Sequence, residues 1–417
     1  MLNVFTLLSH FNSSDLQQLV DKALNQNFTL QQLALTVALR EQDVTITDAA
    51  RWPTLDLSFD PSRRKSLDPT RYQSSFSLDL NLRYELDIWG KLSDSTRQQY
   101  LTWQAEKANY LQAQQQLAAD VVIAWYNIIE AQQLLALMEK RVAVAQQNLD
   151  IIESGYRQGL NESLDVYLTR NELNTELSRK ADQVATQQTA IRTLERLLGD
   201  YPAGLLAVEQ SLPLITDDIP LGMPAELLSR KPQLLQRWHQ LLAADASVAL
   251  AHKQRFPSFT LTGSVGRSSS ELNELISGEA IGWSLLGSLT TPLFNAGELK
   301  AREEKARITL KQTEQQYLDT LYQAFADVEN GITREASLKA RYQATMKAEE
   351  NAVIAEKLSF EQYLKGLVSY TTVLDAQQRA FDAQSNLIQI KNQLIANRVR
   401  LHLALGGDFA VTPGTSS

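Results

Sequence analysis

The chain repeats itself at long range, and no other feature limits its possible folds so sharply. Gly159 in SGYRQGL is echoed by Gly366 in QYLKGLV, 207 residues on. The same 207-residue spacing relates Gly90 in IWGKL to Gly297 in NAGEL, Gly199 in RLLGD to Gly406 in LALGG, and Val121 in AADVV to Val328 in FADVE. RWPTLDLS and RFPSFTLT, from Arg51 and Arg255, stand 204 apart. Solenoid units run to about 20–50 residues, so a period this long means one structural half given twice.

Both halves share a grammar. The first opens with a short helix pair over 15–25 and 29–50, with Thr29 and Gln32 as a capping box, and Pro53 ends it. From Phe76 to Ile88 apolar and polar residues alternate strictly, which predicts a strand over 75–88 with one apolar face. Its 13 alternating residues would extend about 44 Å, far beyond the common globular strand. The predicted partner strand is 54–60, with PSRRKSLDPTR as a polar loop between them. The second hairpin falls at 258–267 and 281–291, around SSSELNELISGE. Helical text without a break then predicts helices over 92–155 and 163–198, repeated at 299–361 and 370–405. The first would run about 90 Å, and each pair forms a long helical hairpin. The first repeat is 1–207 and the second 223–417, joined by a Pro-punctuated linker over 208–222.

Composition removes several classes of function. A formal charge of −8 gives no broad basic face for nucleic acid. The absence of Cys removes disulfides, thiolate metal sites and a thiol nucleophile. His10, His239, His252 and His402 are scattered and only four Met occur, so neither a metal site nor a cofactor is expected. No nucleophile, base and orienting group stand together, so no enzyme activity is expected. The most apolar stretch, 118–138, is interrupted by Asp120, Asn127 and Glu130, which argues against a membrane helix. A β-barrel leaves a far weaker sequence signal and stays open. The opening MLNVFTLLSHFNSSDLQQL has no basic start, apolar core or small-residue cleavage site, and read alone it points to the cytosol.

Two strands, a very long helix, a glycine turn and a returning helix, given twice, resemble the outer-membrane efflux protein family, the TolC-like ducts of Gram-negative bacteria. The sharpest words are YELDIWGKL at 84–92 and PLFNAGELKAREEKA at 292–306, which look like the strand-to-helix junctions of the branch serving resistance-nodulation-division drug pumps. The resemblance implies a mainly α chain with a membrane β-barrel. Three copies give a 12-stranded barrel joined to an α-helical periplasmic tunnel, set in outer-membrane lipid. It also implies a passive exit duct for drugs or other toxic small molecules. Its partners would be a periplasmic membrane-fusion adaptor and an inner-membrane pump. Many members carry a lipid-anchored Cys after an export signal, and this sequence holds no Cys to which that part of the resemblance could be carried over. A duct for type I protein secretion is the alternative within the family. A soluble coiled-coil scaffold is the alternative outside it, and it leaves the alternating strands unexplained.

The resemblance further implies roles for residues near the two turns. Asp375 and Asp165 would line the narrow periplasmic end, each becoming a ring of three carboxylates that attracts cations. Without the resemblance each reads as a helix-start carboxylate favoured by the helix dipole. Tyr363 and Arg157 are pore or latch residues. Gly159, Leu160, Gly366 and Leu367 form the tips that meet the adaptor, the glycines being first of all turn residues. In a barrel, Asp79, Asn81, Arg83, Glu85 and Asp87 face the lumen, and Tyr84 and Trp89 sit toward the aromatic girdle.

Overall fold

The computed structural model describes residues 14–67, 70–208, 211–213, 230–277 and 281–406. Most of the expected linker and the opening segment therefore lie outside the described residues. The elements are α1 (Ser14–Gln26), α2 (Phe28–Ala49), β1 (Thr54–Leu67), β2 (Thr70–Leu86), α3 (Lys91–Arg157), α4 (Ser163–Leu197), α5 (Pro232–Lys253), β3 (Ser258–Ser269), α6 (Leu272–Ser277), β4 (Gly282–Thr290), α7 (Glu298–Leu364) and α8 (Tyr370–Ala404). The repeat is visible to the residue. Helices α3 and α7 have 67 residues each, α4 and α8 have 35 each, and every boundary is displaced by 207.

The four strands form one antiparallel sheet in the order β1-β2-β3-β4, so β2 and β3, from different repeats, pair at its centre. Their register sets Leu57 beside Leu80 and Leu80 beside Val265, and beyond them Val265 beside Trp283. Because side chains alternate with a period of two, Leu55, Leu57 and Phe59 share a face with Leu78, Leu80 and Leu82. Phe259, Leu261, Trp283 and Leu285 continue that face. The opposite face carries Asp56, Ser58, Asp79, Asn81, Arg83, Thr262 and Ser264, with Leu286 an apolar exception. The apolar face lies open, with Leu57 71% and Trp283 79% exposed.

Several boundaries differ from expectation. Residues 61–67, expected as loop, continue β1, and residues 70–74 already belong to β2. Pro61 sits opposite Phe76. It is tolerated because β1 is an edge strand, where a missing backbone donor need not break a ladder. Within SSSELNELISGE the short helix α6 forms. The start of α2 is capped not by Thr29 but by Asn27, whose Oδ1 accepts from Leu30 N at 3.0 Å. The same side chain donates to Leu197 O at 3.0 Å, so it ties α2 to the end of α4 as it caps.

The chain divides into two compact units, and neither is a sequence repeat. One comprises 1–33, 110–232 and 321–417, the other 34–109 and 233–320. Each draws on both repeats because α3 and α7 supply residues to both. The core of the first unit gathers Leu16 and Val20 of α1 and Val121, Val122, Trp125 and Ile129 of α3. Leu194 of α4 and Ile395 and Val399 of α8 complete it. One window of α3 reaches the hydropathy of a membrane helix by composition. These buried contacts explain its apolar character as a helix core instead. The second unit holds the sheet and a smaller cluster of Leu101, Ala243 and Ala246.

Candidate functional site: the hairpin tips and the strand-to-helix junction

At the junction, the YELDIWGKL segment is a helix start built around Asp87. Its two carboxylate oxygens accept from Leu92 N at 2.9 Å and from Ser93 N at 2.8 Å, and Ser93 Oγ adds a bond of 2.7 Å. Partial burial pushes the Asp87 carboxyl up, but the Ser93 hydroxyl and the two amides outweigh it and hold the group below its ordinary value. Trp89 packs on Phe256, ring centres 5.3 Å apart, and its Nε1 donates to Pro257 O at 2.8 Å. These contacts pin the end of β2 to the start of β3. Further along α7, Glu303 accepts from Arg307 and Arg255, each at 2.7 Å. Arg307, then Arg255, hold its carboxyl down to about 2.

The two tips are built alike. Gly159 N donates to Tyr156 O at 3.0 Å and Leu160 N to Gly155 O at 2.8 Å; Gly366 N donates to Tyr363 O at 2.8 Å and Leu367 N to Gln362 O at 3.0 Å. This pair of reversed bonds closes a helix whose next residue is left-handed. Gly159 and Gly366 have φ of +72° and +73°, and a Cβ on either would meet nothing within 4 Å. Glycine is set here by backbone angle and not by crowding. The leucines that follow project outward, Leu160 76% and Leu367 70% exposed.

Between the hairpins, Tyr363 of α7 donates its hydroxyl to Asp165 Oδ2 of α4 at 2.8 Å. Burial, and then the bond to that carboxylate, push the Tyr363 phenol up. Its ring stands edge-on to Tyr370, centres 5.2 Å apart. Tyr370 is buried with Ile152, Val166 and Val373. A cleft of about 1050 Å³ opens beside them, lined by Leu160, Leu164, Asp165, Tyr363, Val368 and Ser369 among others. Asp165 and Tyr363 are thus brought together. Arg157 instead pairs with Glu153 of its own helix at 3.5 Å. Asp375 is exposed on α8 and does not line this cleft. It is the sixth residue of α8, past the first turn, so the helix-start reading fits Asp165 and not Asp375. The two acids are also not repeat mates, since the 207-residue spacing pairs Asp165 with Thr372 and Asp375 with Leu168.

Deeper along the hairpins lies an ionic group that the sequence reading missed. Arg141 of α3 donates to Glu176 Oε1 at 2.6 Å, to Glu172 Oε1 at 3.1 Å and to the backbone oxygen of Gln377 at 2.9 Å. Its guanidinium lies 4.4 Å from the centre of the Phe381 ring. Arg179 reaches Glu176 at 2.8 Å and Gln378 at 3.1 Å. A sequence signal existed, since Glu172, Glu176 and Arg179 fall on one helical face. The helix facing them was not readable from spacing.

A sheet with one apolar face, running through a glycine-punctuated junction into two equal helical hairpins with exposed, glycine-turned tips, defines an outer-membrane efflux channel. The chain belongs to the outer membrane efflux protein family, whose profile matches residues 19–200 and 223–407. It is 30% identical over 409 residues to the solvent efflux pump outer membrane protein SrpC of Pseudomonas putida, spanning 96% of this chain and 87% of that one. Against the cation efflux system protein CusC of Escherichia coli it is 28% identical over 407 residues, covering 96% and 87%. A membrane protein of Pseudomonas aeruginosa has the same fold, with a TM-score of 0.90, 27% identity and coverage of 95% and 93%. The protein is an outer-membrane efflux channel with the TolC-like fold.

Proposed function

We propose that three copies of this chain close a 12-stranded barrel and a helical duct, through which toxic organic small molecules leave the cell. The observation that carries the reading is the sheet. Among the described residues its four strands end in unpaired edges at β1 and β4 and present an open apolar face, and membrane barrels begin at about eight strands and leave no edge. Three sheets joined edge to edge satisfy both conditions, with the Asp79 and Arg83 face turned to the lumen. The tips, Gly159, Leu160, Gly366 and Leu367, receive the hairpin of a periplasmic adaptor that links the duct to a resistance-nodulation-division pump. Asp375, Asp165, Tyr363 and Arg157 form the periplasmic gate, with Tyr363 and Asp165 as the latch between the hairpins of one subunit.

The similarity to SrpC and the low count of soft ligands, four Met and no Cys, favour organic cargo over a soft metal cation. The test is expression in an efflux-deficient strain carrying candidate adaptor–pump pairs, scored by tolerance to organic solvents and to copper and silver salts. Restored solvent tolerance supports the reading; restored metal tolerance alone overturns the cargo.

A further inference from the structure

The apolar face of the first hairpin changes character at a definite height. On β2 the residues that share this face run Leu86, Tyr84, Leu82, Leu80, Leu78 and Phe76. The ten steps from Leu86 to Phe76 rise about 34 Å, and at a barrel tilt of about 35–45° they span about 24–28 Å, which matches the apolar band of about 25 Å on a membrane barrel. Beyond Phe76 the face turns basic. On β1, Leu55, Leu57 and Phe59 are followed on the same face by Pro61 and then by Arg63 and Lys65, opposite Ser74 and Tyr72 of β2. Pairing with β3 ends at Ser269, opposite Phe76, so β1 and β2 alone carry this stretch of the ladder.

The two cations converge on one ring. The Arg63 guanidinium lies 5.1 Å and Lys65 Nζ 5.6 Å from the centre of Tyr72, and all three side chains are exposed. Two residues apart on one strand face, their backbones stand about 7 Å from each other, so both side chains can reach a single tetrahedral anion. By the same register Asp56, Asp60, Asp79 and Glu85, the carboxylates of the two strands, all fall on the opposite face. Past β3 come Glu271 and Glu274, the latter accepting from Ser269 Oγ at 2.8 Å. Among the described residues no carboxylate pairs with Arg63 or Lys65. Arg267 of β3 shares the face lower down, opposite Leu78 within the apolar band, from where a long side chain snorkels toward the same edge.

Lysines and arginines that merely guard an edge strand would serve on either face. They would not need an aromatic ring between them at the height where the apolar band ends. Rings with a polar handle settle at membrane interfaces, and cations beside them meet anionic headgroups. We propose that Arg63, Lys65 and Tyr72 bind the phosphate of a lipid headgroup in the outer leaflet. The site rests on the channel reading above, which puts the helices on the periplasmic side and so this end of the hairpin at the outer surface. The phosphate lies between the two cations, and the acyl chains run down the sheet past Phe76 and Leu78. A lipid held in this way fixes the depth at which the barrel rides in the membrane.

The test is native mass spectrometry of the detergent-purified assembled protein, titrated with lipid A, a bisphosphorylated glycolipid, and with the same lipid stripped of phosphate. Wild type should retain lipid A and release the stripped lipid. Replacing both cations, Arg63→Gln with Lys65→Gln, should weaken retention about 30-fold, a factor of about five for each basic residue beside an anionic lipid surface. Arg64→Gln, opposite Gln73 on the other face, should leave retention unchanged. Equal retention of the stripped lipid, an unaltered double variant, or an equal loss in Arg64→Gln overturns the site. Excess inorganic phosphate should not displace the bound lipid, because the acyl chains hold it too. Full displacement would assign the pair to the free anion and overturn the lipid reading. Should the double variant fail to assemble, each single variant decides: a loss of about fivefold is expected, and no loss from either overturns the site. The same spectra report subunit number. An assembled protein without lipid fails the site alone, whereas a monomer fails the channel reading and takes the site with it.

Discussion

Asp165 and Tyr363 come from different repeats, and a single hydroxyl carries the bond between them. Tyr363→Phe keeps the ring on Tyr370 and deletes only the hydroxyl. A bond to a charged acceptor contributes about 1.5–3 kcal/mol when well shielded, and the solvent reaching this cleft reduces that. The expected outcome is a channel that opens more often in single-channel records, with unchanged trimer content. Asp375→Ala should weaken block by a trivalent cation added from the periplasmic side, and unchanged block would remove Asp375 from the gate. At Gly159 and Gly366 a Cβ has room, so valine carries only left-handed strain of about 1–2 kcal/mol. Either substitution should leave trimers in the outer membrane while lowering efflux in a complementation assay. Loss of trimers would show that the turn serves folding alone. The turn glycines were legible in the sequence because a positive φ selects a residue type. The partner of Asp165 was not, because it lies 198 residues away.

Among the elements, the four long helices lie within three residues of the ends of their uninterrupted text, whereas α5 and α6 had no bounds in the sequence reading. The strands were harder. Their alternation was plain from Phe76, but Pro61 and the charged run after it looked like a loop. Pairing, not propensity, extended β1 to Leu67. The two faces of β2 make opposite predictions. Leu80→Arg puts a charge on the apolar face, a cost of about 2–4 kcal/mol near the bilayer midplane, and should reduce assembled protein in outer-membrane fractions. Asp79→Asn on the other face should leave assembly intact. Equal losses from both would mean that the faces are reversed.

For the whole molecule the prediction is stoichiometric. Light scattering of detergent-purified protein, corrected for bound detergent, should give three times the 46.8 kDa of one chain, and the same preparation should conduct in a planar bilayer. A monomer with its strands intact and no pore would overturn the barrel. The sequence alone determined the duplication, the glycine turns, the long helices and the alternating face of β2. Each is written in local spacing, where periods of 2 and 3.6 and a few special backbone angles leave little choice. The tertiary structure decided which strands pair, that β2 meets β3 across the repeats, and that residues 118–129 form a helix core. It also decided that Arg141 faces Glu172, Glu176 and the α8 backbone. Those contacts join segments tens to hundreds of residues apart. Packing and charge neutralisation select them only once the chain is folded, and no local pattern encodes them.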